Sequence, residues 1–292
     1  MKRKKKEYLE CAAFTVPSLF LVMLVFYIPF VMSLYYSLTE WNGISKAPKF
    51  IGLENFKKLF SGSSDFMQSL IFTGKYTIIF MILVNILALA IAVALVQKIP
   101  AANVMRSMFF IPYIMSMTIV GFIWKFIFLQ TFPLIAKATG IKFFALAWLG
   151  TEATAFWGTI IVDVWQNLGY MMVIYIAGIT AISPEYTEAA QIDGANSRHI
   201  LRHIILPLVM PAITQCLFMS TLNAFKIYDL NVSLTGGGPY RSSEAFTMNI
   251  YNTAFMSRQM GLGAAKSLLF IIMIIVITEV QVHLTRKKEV QM

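Results

Sequence analysis

The polar residues whose types and spacing could do chemistry are few in this sequence, and nearly all of them sit in or beside long apolar runs. His199 and His203 stand at i and i+4, a spacing that can hold zinc on one helix face. No His-Glu-x-x-His pattern accompanies them, and the flanking Arg198 and Arg202 repel a cation, so they read as a basic surface and no metal site is expected. Gly261-Leu262-Gly263-Ala264-Ala265-Lys266-Ser267 ends like a phosphate-binding loop, but Ala265 stands where that loop needs glycine and the stretch is not a strand-to-helix turn. The chain is therefore expected to bind no ATP and no other cofactor. Gln166, Asn167 and Tyr170 fall within about one helical turn of each other, and Ser220 and Asn223 share a face at i and i+3. Polar side chains are expensive in lipid, so such groups either face a wet cavity or hold helices together. Asp163, an acid inside an apolar run, faces the pathway or pairs with a neighbour. Lys226 and Asp229, one turn apart, read as a local ion pair. No nucleophile is paired with a base, so no catalytic residue is named.

The elements that position these groups are membrane helices. Of 292 residues, 58% are hydrophobic and 13% charged, and the mean hydropathy is +0.70. A soluble domain carries roughly 25% charged residues, because its surface faces water. This chain has too little polar surface for that, and its solvent is largely lipid. The net charge of +10 does not form a nucleic-acid footprint. The basic residues sit at the ends of apolar runs, where they set orientation and meet headgroups. Cys11 and Cys216 are the only cysteines, both in apolar stretches, and imply neither a disulfide nor a metal site.

A helix needs about 20 apolar residues to cross the hydrocarbon layer. Six runs qualify: Cys11 to Leu38, Lys75 to Val96, Ser107 to Leu129, Ala155 to Ile182, Leu206 to Tyr228 and Leu262 to Leu284. Residues 1–10 form a basic N-terminus, 11–284 the membrane domain and 285–292 a short tail. The first run is too long for a signal peptide and shows no small-residue cleavage site, so it reads as a retained helix. With both termini inside, the inner segments hold Lys2, Arg3, Lys4, Lys5, Lys6, Lys98, Arg106, Arg198, Arg202, Arg286, Lys287 and Lys288, which is 12 of the 24 basic residues. The raw count ties, but the inner segments are much the shorter, and the first helix usually dominates orientation. Both termini are expected in the cytoplasm. The outer loops, near 39–74, 130–154 and 229–261, are each too short for a sizeable soluble domain.

The inner segment 183–207, between the fourth and fifth runs, reads Pro184-Glu185-Tyr186-Thr187-Glu188-Ala189-Ala190-Gln191-Ile192-Asp193-Gly194-Ala195 and continues to Ile204-Ile205-Leu206-Pro207. Glu188 to Ile192 has helix-forming composition, and Gly194 can take the left-handed backbone that ends a helix. A second short helix is expected from Ser197, as N-cap, to Ile205. Pro207 suits the first turn of the membrane helix that follows. The segment reads as a helix-turn-helix elbow at the cytoplasmic surface.

Glu188, Ala189, Ala190, Gly194, Ile204, Leu206 and Pro207 match every fixed position of the signature loop of permease subunits in binding-protein-dependent ABC importers, and the chain resembles that family. Leu234-Thr235-Gly236-Gly237-Gly238-Pro239, Phe225 to Leu230, Tyr251 to Phe255, Gly261 to Ser267 and Gly52-Leu53-Glu54-Asn55-Phe56 extend the resemblance to nearly the whole chain and narrow it to the sugar-permease branch, the maltose-permease F-type. The sequence lacks that prototype's extra N-terminal helices and large outer insertion. The resemblance implies an all-α membrane protein of six transmembrane helices, with a cytoplasmic coupling helix-turn-helix between helices four and five. In that family the loop docks on the ATPase. Glu188, Ala189, Ala190, Asp193, Gly194, Ile204, Leu206 and Pro207 are then the coupling residues, the small alanines permitting close approach and Glu188 accepting from a partner arginine.

The resemblance also implies a substrate pathway lined by Gln166, Asn167, Tyr170, Ser220, Asn223, Ala224 and Ile227. Amides, hydroxyls and rings are what a sugar needs, although Ala224 and Ile227 replace polar residues of the prototype. The implied partners are a second permease forming a heterodimer, two ATPase subunits that hydrolyse the ATP, an extracytoplasmic solute-binding protein, a sugar and the lipid bilayer, with no nucleic acid. The rival readings are an ion-gradient-driven secondary transporter, which needs inverted repeats or broken helices that the sequence does not display, and an ABC importer of a non-sugar solute.

Overall fold

The computed structural model describes residues 2–61, 64–97, 100–287 and 289. Met1, Lys98, Lys288 and the end of the tail lie outside the described residues. The chain divides into two compact units, Met1–Ser63 with Ile250–Ile272, and Ser64–Asn249 with Met273–Met292.

In the first unit, α1 (Lys2–Val22) passes through a π-turn, Met23–Tyr27, into α2 (Ile28–Ser37). A ribbon that the sequence reading did not foresee follows, with β1 (Thr39–Glu40) antiparallel to β2 (Lys49–Phe50). It leads into α3 (Glu54–Phe60), where the buried Asn55 donates to the carbonyls of Ser37 and Thr39 at 2.8 and 2.9 Å. Ser37 is the last residue of α2 and Thr39 the first of β1, so one amide ties the exit of the helix to the ribbon. Side chains from Cys11 to Met32 are exposed, on a helix long and apolar enough to cross a membrane.

The second unit is built on α4 (Ser64–Val96) packed along α8 (Glu152–Thr180). The buried edge of α4 is a row at steps of four: Phe72, Tyr76, Phe80, Val84, Ala88 and Ala92. Such a row is a ridge on a helix surface. The row tapers from rings to methyl groups toward the end at Val96. Between these two lie α5 (Ala102–Ile114), α6 (Met117–Phe126), the π-turn Ile127–Thr131 and α7 (Phe132–Thr139). After α8 come α9 (Pro184–Ile192), α10 (Ser197–Ile200), the π-turn Leu201–Ile205, α11 (Leu206–Leu208) and α12 (Met210–Phe225). The π-turn Asn231–Thr235 and α13 (Phe246–Tyr251) precede α14 (Met260–Arg286), which runs from one unit into the other.

Three π-turns have one cause. Each is followed by an X-Pro pair, Ile28-Pro29, Phe132-Pro133 and Leu206-Pro207, and in each the residue before proline donates five residues back, to Met23, Ile127 and Leu201. Proline has no N–H and its ring presses on the carbonyl four residues earlier. One wider turn re-registers the ladder and lets the helix continue.

Among the described residues, five helices are long and apolar enough to cross a membrane, or six when α10–α12 count as one bent span. Two predicted spans need correction. The third does not run unbroken from Ser107 to Leu129: α5 ends at Ile114, Met115 is extended with ψ 144°, and the candidate span is Met117–Thr139. Pro112 removes one ladder bond just before the break, but the run stays apolar on both sides, so hydropathy alone is blind to the break. The fifth span bends by 68° between Leu208 and Met210, because Pro207 and Pro211 each delete a helical donor around Val209. The elbow's second helix thus reaches Leu208, and its cap is Asn196, whose Oδ1 accepts from the His199 N–H at 2.9 Å, rather than Ser197.

Candidate functional site

The break between α5 and α6 and the end of α12 face the middle of α8 around a cavity of about 430 Å³. Its wall includes Tyr113, Met115, Asp163, Gln166, Asn167 and Asn223 and the whole stretch Lys226 to Leu230. Irregular backbone at membrane depth is tolerated where it lines a cavity or is bonded within the protein, and both conditions hold here. Gln166 donates from Nε2 to the freed Met115 carbonyl at 2.9 Å, while its Oε1 is buried without a partner among the described residues. Gly169 permits the approach of α5: a Cβ there would lie 2.0 Å from the Phe109 carbonyl oxygen.

Asp163 is 2% exposed and satisfies both expectations held for it. It lines the cavity, and it pairs with its neighbours. The Tyr76 hydroxyl donates to Oδ2, and Asn167 Nδ2 donates to Oδ1 at 2.8 Å. Asn223 Nδ2 extends the chain to Asn167 Oδ1 at 3.3 Å. The result is a continuous polar strip from α4 through α8 to α12, oriented before any solute arrives.

The structure brings together Gln166, Asn167, Asn223 and Ile227 of the seven pathway residues. Tyr170 stands behind the wall, stacked on Tyr113 with centroids 4.5 Å apart. Ser220 and Ala224 face the core instead. Ser220 Oγ accepts from Asn85 at 2.9 Å and Ala224 is fully buried, so both serve helix packing here. Lys226 and Asp229 form no ion pair, contrary to the sequence reading, because α12 ends at Phe225 and helical spacing stops there. Both charges line the cavity separately. Sequence reasoning missed Tyr113, Met115 and Tyr228. Pro112 just ahead of the break was the signal available for the first two.

The elbow residues follow the C-terminal end of α8. Glu188, Ala189, Asp193 and Gly194 are exposed, and Ala190, Ile204, Leu206 and Pro207 are partly covered. Gly194 has φ +83°, a conformation that favours glycine, and its N–H donates to the Gln191 carbonyl at 3.0 Å. The turn leaves a recess lined by Ala190, Asp193, Gly194, Asn196, His199 and Ile204. Ile192, the last residue of α9, is 87% exposed.

Residues 86–290 match the family described as binding-protein-dependent transport system inner membrane component. A probable starch degradation products transport system permease protein, AmyD of Thermoanaerobacterium thermosulfurigenes, is 44% identical over 279 residues, covering 96% of this chain and 94% of its own. The multiple sugar-binding transport system permease protein MsmF of Streptococcus mutans is 33% identical over 277 residues, 95% of each chain. A chain of a bacterial alginate ABC transporter, crystallised with an alginate pentasaccharide-bound periplasmic protein, has the same fold at a TM-score of 0.84 and 18% identity, over 98% of this chain and 96% of that one.

Proposed function

This chain belongs to the family of binding-protein-dependent transport system inner membrane components, and from that premise we propose that it is a permease subunit of an ATP-driven importer of a sugar or oligosaccharide. The observation that carries the reading is the elbow: the seven fixed residues from Glu188 to Pro207 fold as two short helices about Gly194, joined without a loop to the bent span α10–α12. A partner ATPase pressing on α9 and α10 would act directly on α12, whose far end carries the cavity wall at Asn223 and Lys226 to Leu230. The names of AmyD and MsmF support a saccharide. So does the lining, since amide, carboxylate and ammonium groups can meet sugar hydroxyls. We assign Gln166, Asn167, Asn223 and Ile227 to the solute path, with Tyr170 supporting Tyr113.

In this reading both termini and the elbow are cytoplasmic, a second permease completes the path, two ATPase subunits hydrolyse ATP, and a solute-binding protein delivers the sugar. The chain itself moves solute and force and makes no covalent bond. The broken helices at Met115 and Phe225 are a trait that secondary transporters also use. What separates the two readings is dependence on the ATPase. Co-purification of the chain with the candidate ATPase and second permease should recover both partners for wild type. The pair Glu188→Lys and Gly194→Pro should lose the ATPase alone, since proline cannot take φ +83° and has no N–H for Gln191. Wild-type chain that purifies alone and transports without any ATPase would transfer the assignment to an ion-driven carrier.

A further inference from the structure

The segment beyond the cavity presents a side chain that has no hydrogen bond or ring contact among the described residues. Lys226 to Leu230 line the cavity, the π-turn Asn231–Thr235 follows directly, and the chain then turns through Gly236 and Gly237 to Tyr240 and Arg241. Tyr240 and Arg241 hold φ of +48° and +60° without being glycine, which is strained backbone. A dense set of bonds holds that strain. Ser243 Oγ donates to the Gly238 carbonyl at 2.5 Å, Asn231 Nδ2 donates to the Ser243 carbonyl at 2.6 Å, and the Ala245 N–H donates to Asn231 Oδ1 at 3.1 Å. Arg241 is clamped by Glu244 and Asp65, each at 2.5 Å. Asn231, Ser243 and Glu244 are buried. Tyr240 alone is left out. It is 93% exposed and has neither a hydrogen bond nor a ring contact among the described residues.

A rigid loop that holds one unpartnered aromatic outward has the anatomy of a binding hot spot, because ordering is complete before the partner arrives. We propose that Tyr240 is the anchor on which this chain docks the solute-binding protein of its importer. The inference rests on the importer reading. The partner follows from position: counted as one crossing, the bent span α10–α12 leads from the elbow to this loop, so the loop faces the side opposite the ATPase. The loop also continues straight from the cavity wall, so a protein held at Tyr240 sits at the mouth through which solute enters. A second permease packs beside the spans and has no need of a loop tip beyond them.

The test uses the assembled importer in nanodiscs with its purified solute-binding protein, reading ATPase stimulation against binding-protein concentration. Tyr240→Ala should raise the half-stimulating concentration about tenfold, equivalent to about 1.4 kcal/mol. The rate without binding protein and the rate at saturation should stay at wild-type values, and Tyr240→Phe should shift the curve by no more than about twofold. Arg241→Ala, which keeps the ring but frees the loop, should also shift the curve to higher concentration. An alanine variant at position 240 that follows the wild-type curve overturns the proposal, as it would if the ring only met lipid headgroups. That result leaves the importer reading intact. Wild-type complex that neither responds to binding protein nor imports sugar defeats the importer reading and this proposal with it.

Discussion

Gln166 divides its amide between two tasks, and the division can be tested. The Nε2 group satisfies the Met115 carbonyl at the break between α5 and α6, and Oε1 is buried without a partner in a residue that lines the cavity. Leucine at this position fills similar volume but orphans the carbonyl. Leaving one buried acceptor unsatisfied costs about 1–3 kcal/mol. Gln166→Leu should therefore lower the thermal midpoint of the purified chain and reduce import at sub-saturating solute. A midpoint equal to wild type would mean that the Met115 carbonyl finds another donor and that the break does not depend on Gln166. Gln166 and Asn167 were legible in the sequence because an amide in an apolar run stands out against its neighbours. Met115 and Ile114 could not be read that way, since a helix end made of apolar residues changes backbone direction without changing hydropathy. Ser220 stood out as strongly as Asn223, yet it faces Asn85. Polarity marks a residue that needs a partner and does not say whether the partner is solute or protein.

Helix packing in this chain depends on backbone approach more than on apolar burial, since lipid is as apolar as a leucine side chain. Gly169 admits the Phe109 carbonyl, Gly178 admits the Ala212 methyl and Gly121 admits Ser233, with hypothetical Cβ contacts of 2.0, 2.6 and 1.9 Å. Gly74, on α4, meets nothing within 4 Å. These glycines look alike in sequence but differ in what they permit. Gly169→Ala should drive α5 from α8 and reduce the yield of folded, monodisperse chain, because backbone cannot yield as a side chain can. Gly74→Ala should be neutral or stabilise by about 0.5–1 kcal/mol through helix propensity. Size-exclusion profiles after heating would separate the two. Equal behaviour would show that the α5–α8 contact is not limiting for folding. Five of the six apolar runs were legible as spans, and the elbow was legible from its fixed spacing. The π-turns, the bend at Val209 and the extent of the third span were not, because each is a response of hydrogen-bond register to proline. Spacing reveals where a proline lies but not which of several adjustments the helix makes.

At the scale of the molecule, alternation of crossings ties every loop to one side or the other, and a single pair of positions can test the whole assignment. Charge gave no majority, since the inner segments hold 12 of the 24 basic residues, so orientation rested on the dense N-terminal cluster. Two of those twelve, Lys98 and Lys288, lie outside the described residues. Ile192, 87% exposed at the elbow, and Lys142, exposed in the turn after α7, are separated by α8 alone. One complete crossing must place them on opposite faces of the membrane. The two native cysteines permit a clean background, since Cys11 is exposed on α1 and Cys216 is a buried small side chain that alanine can replace. In that background an impermeant maleimide added to intact cells should label Lys142→Cys and spare Ile192→Cys, and inverted vesicles should reverse the pattern. Labelling of Ile192→Cys from outside would put the elbow on the wrong side for any ATPase, whatever the match of its residues. Labelling of both from one side would show that α8 does not cross, and the solute path built on it would have to be abandoned.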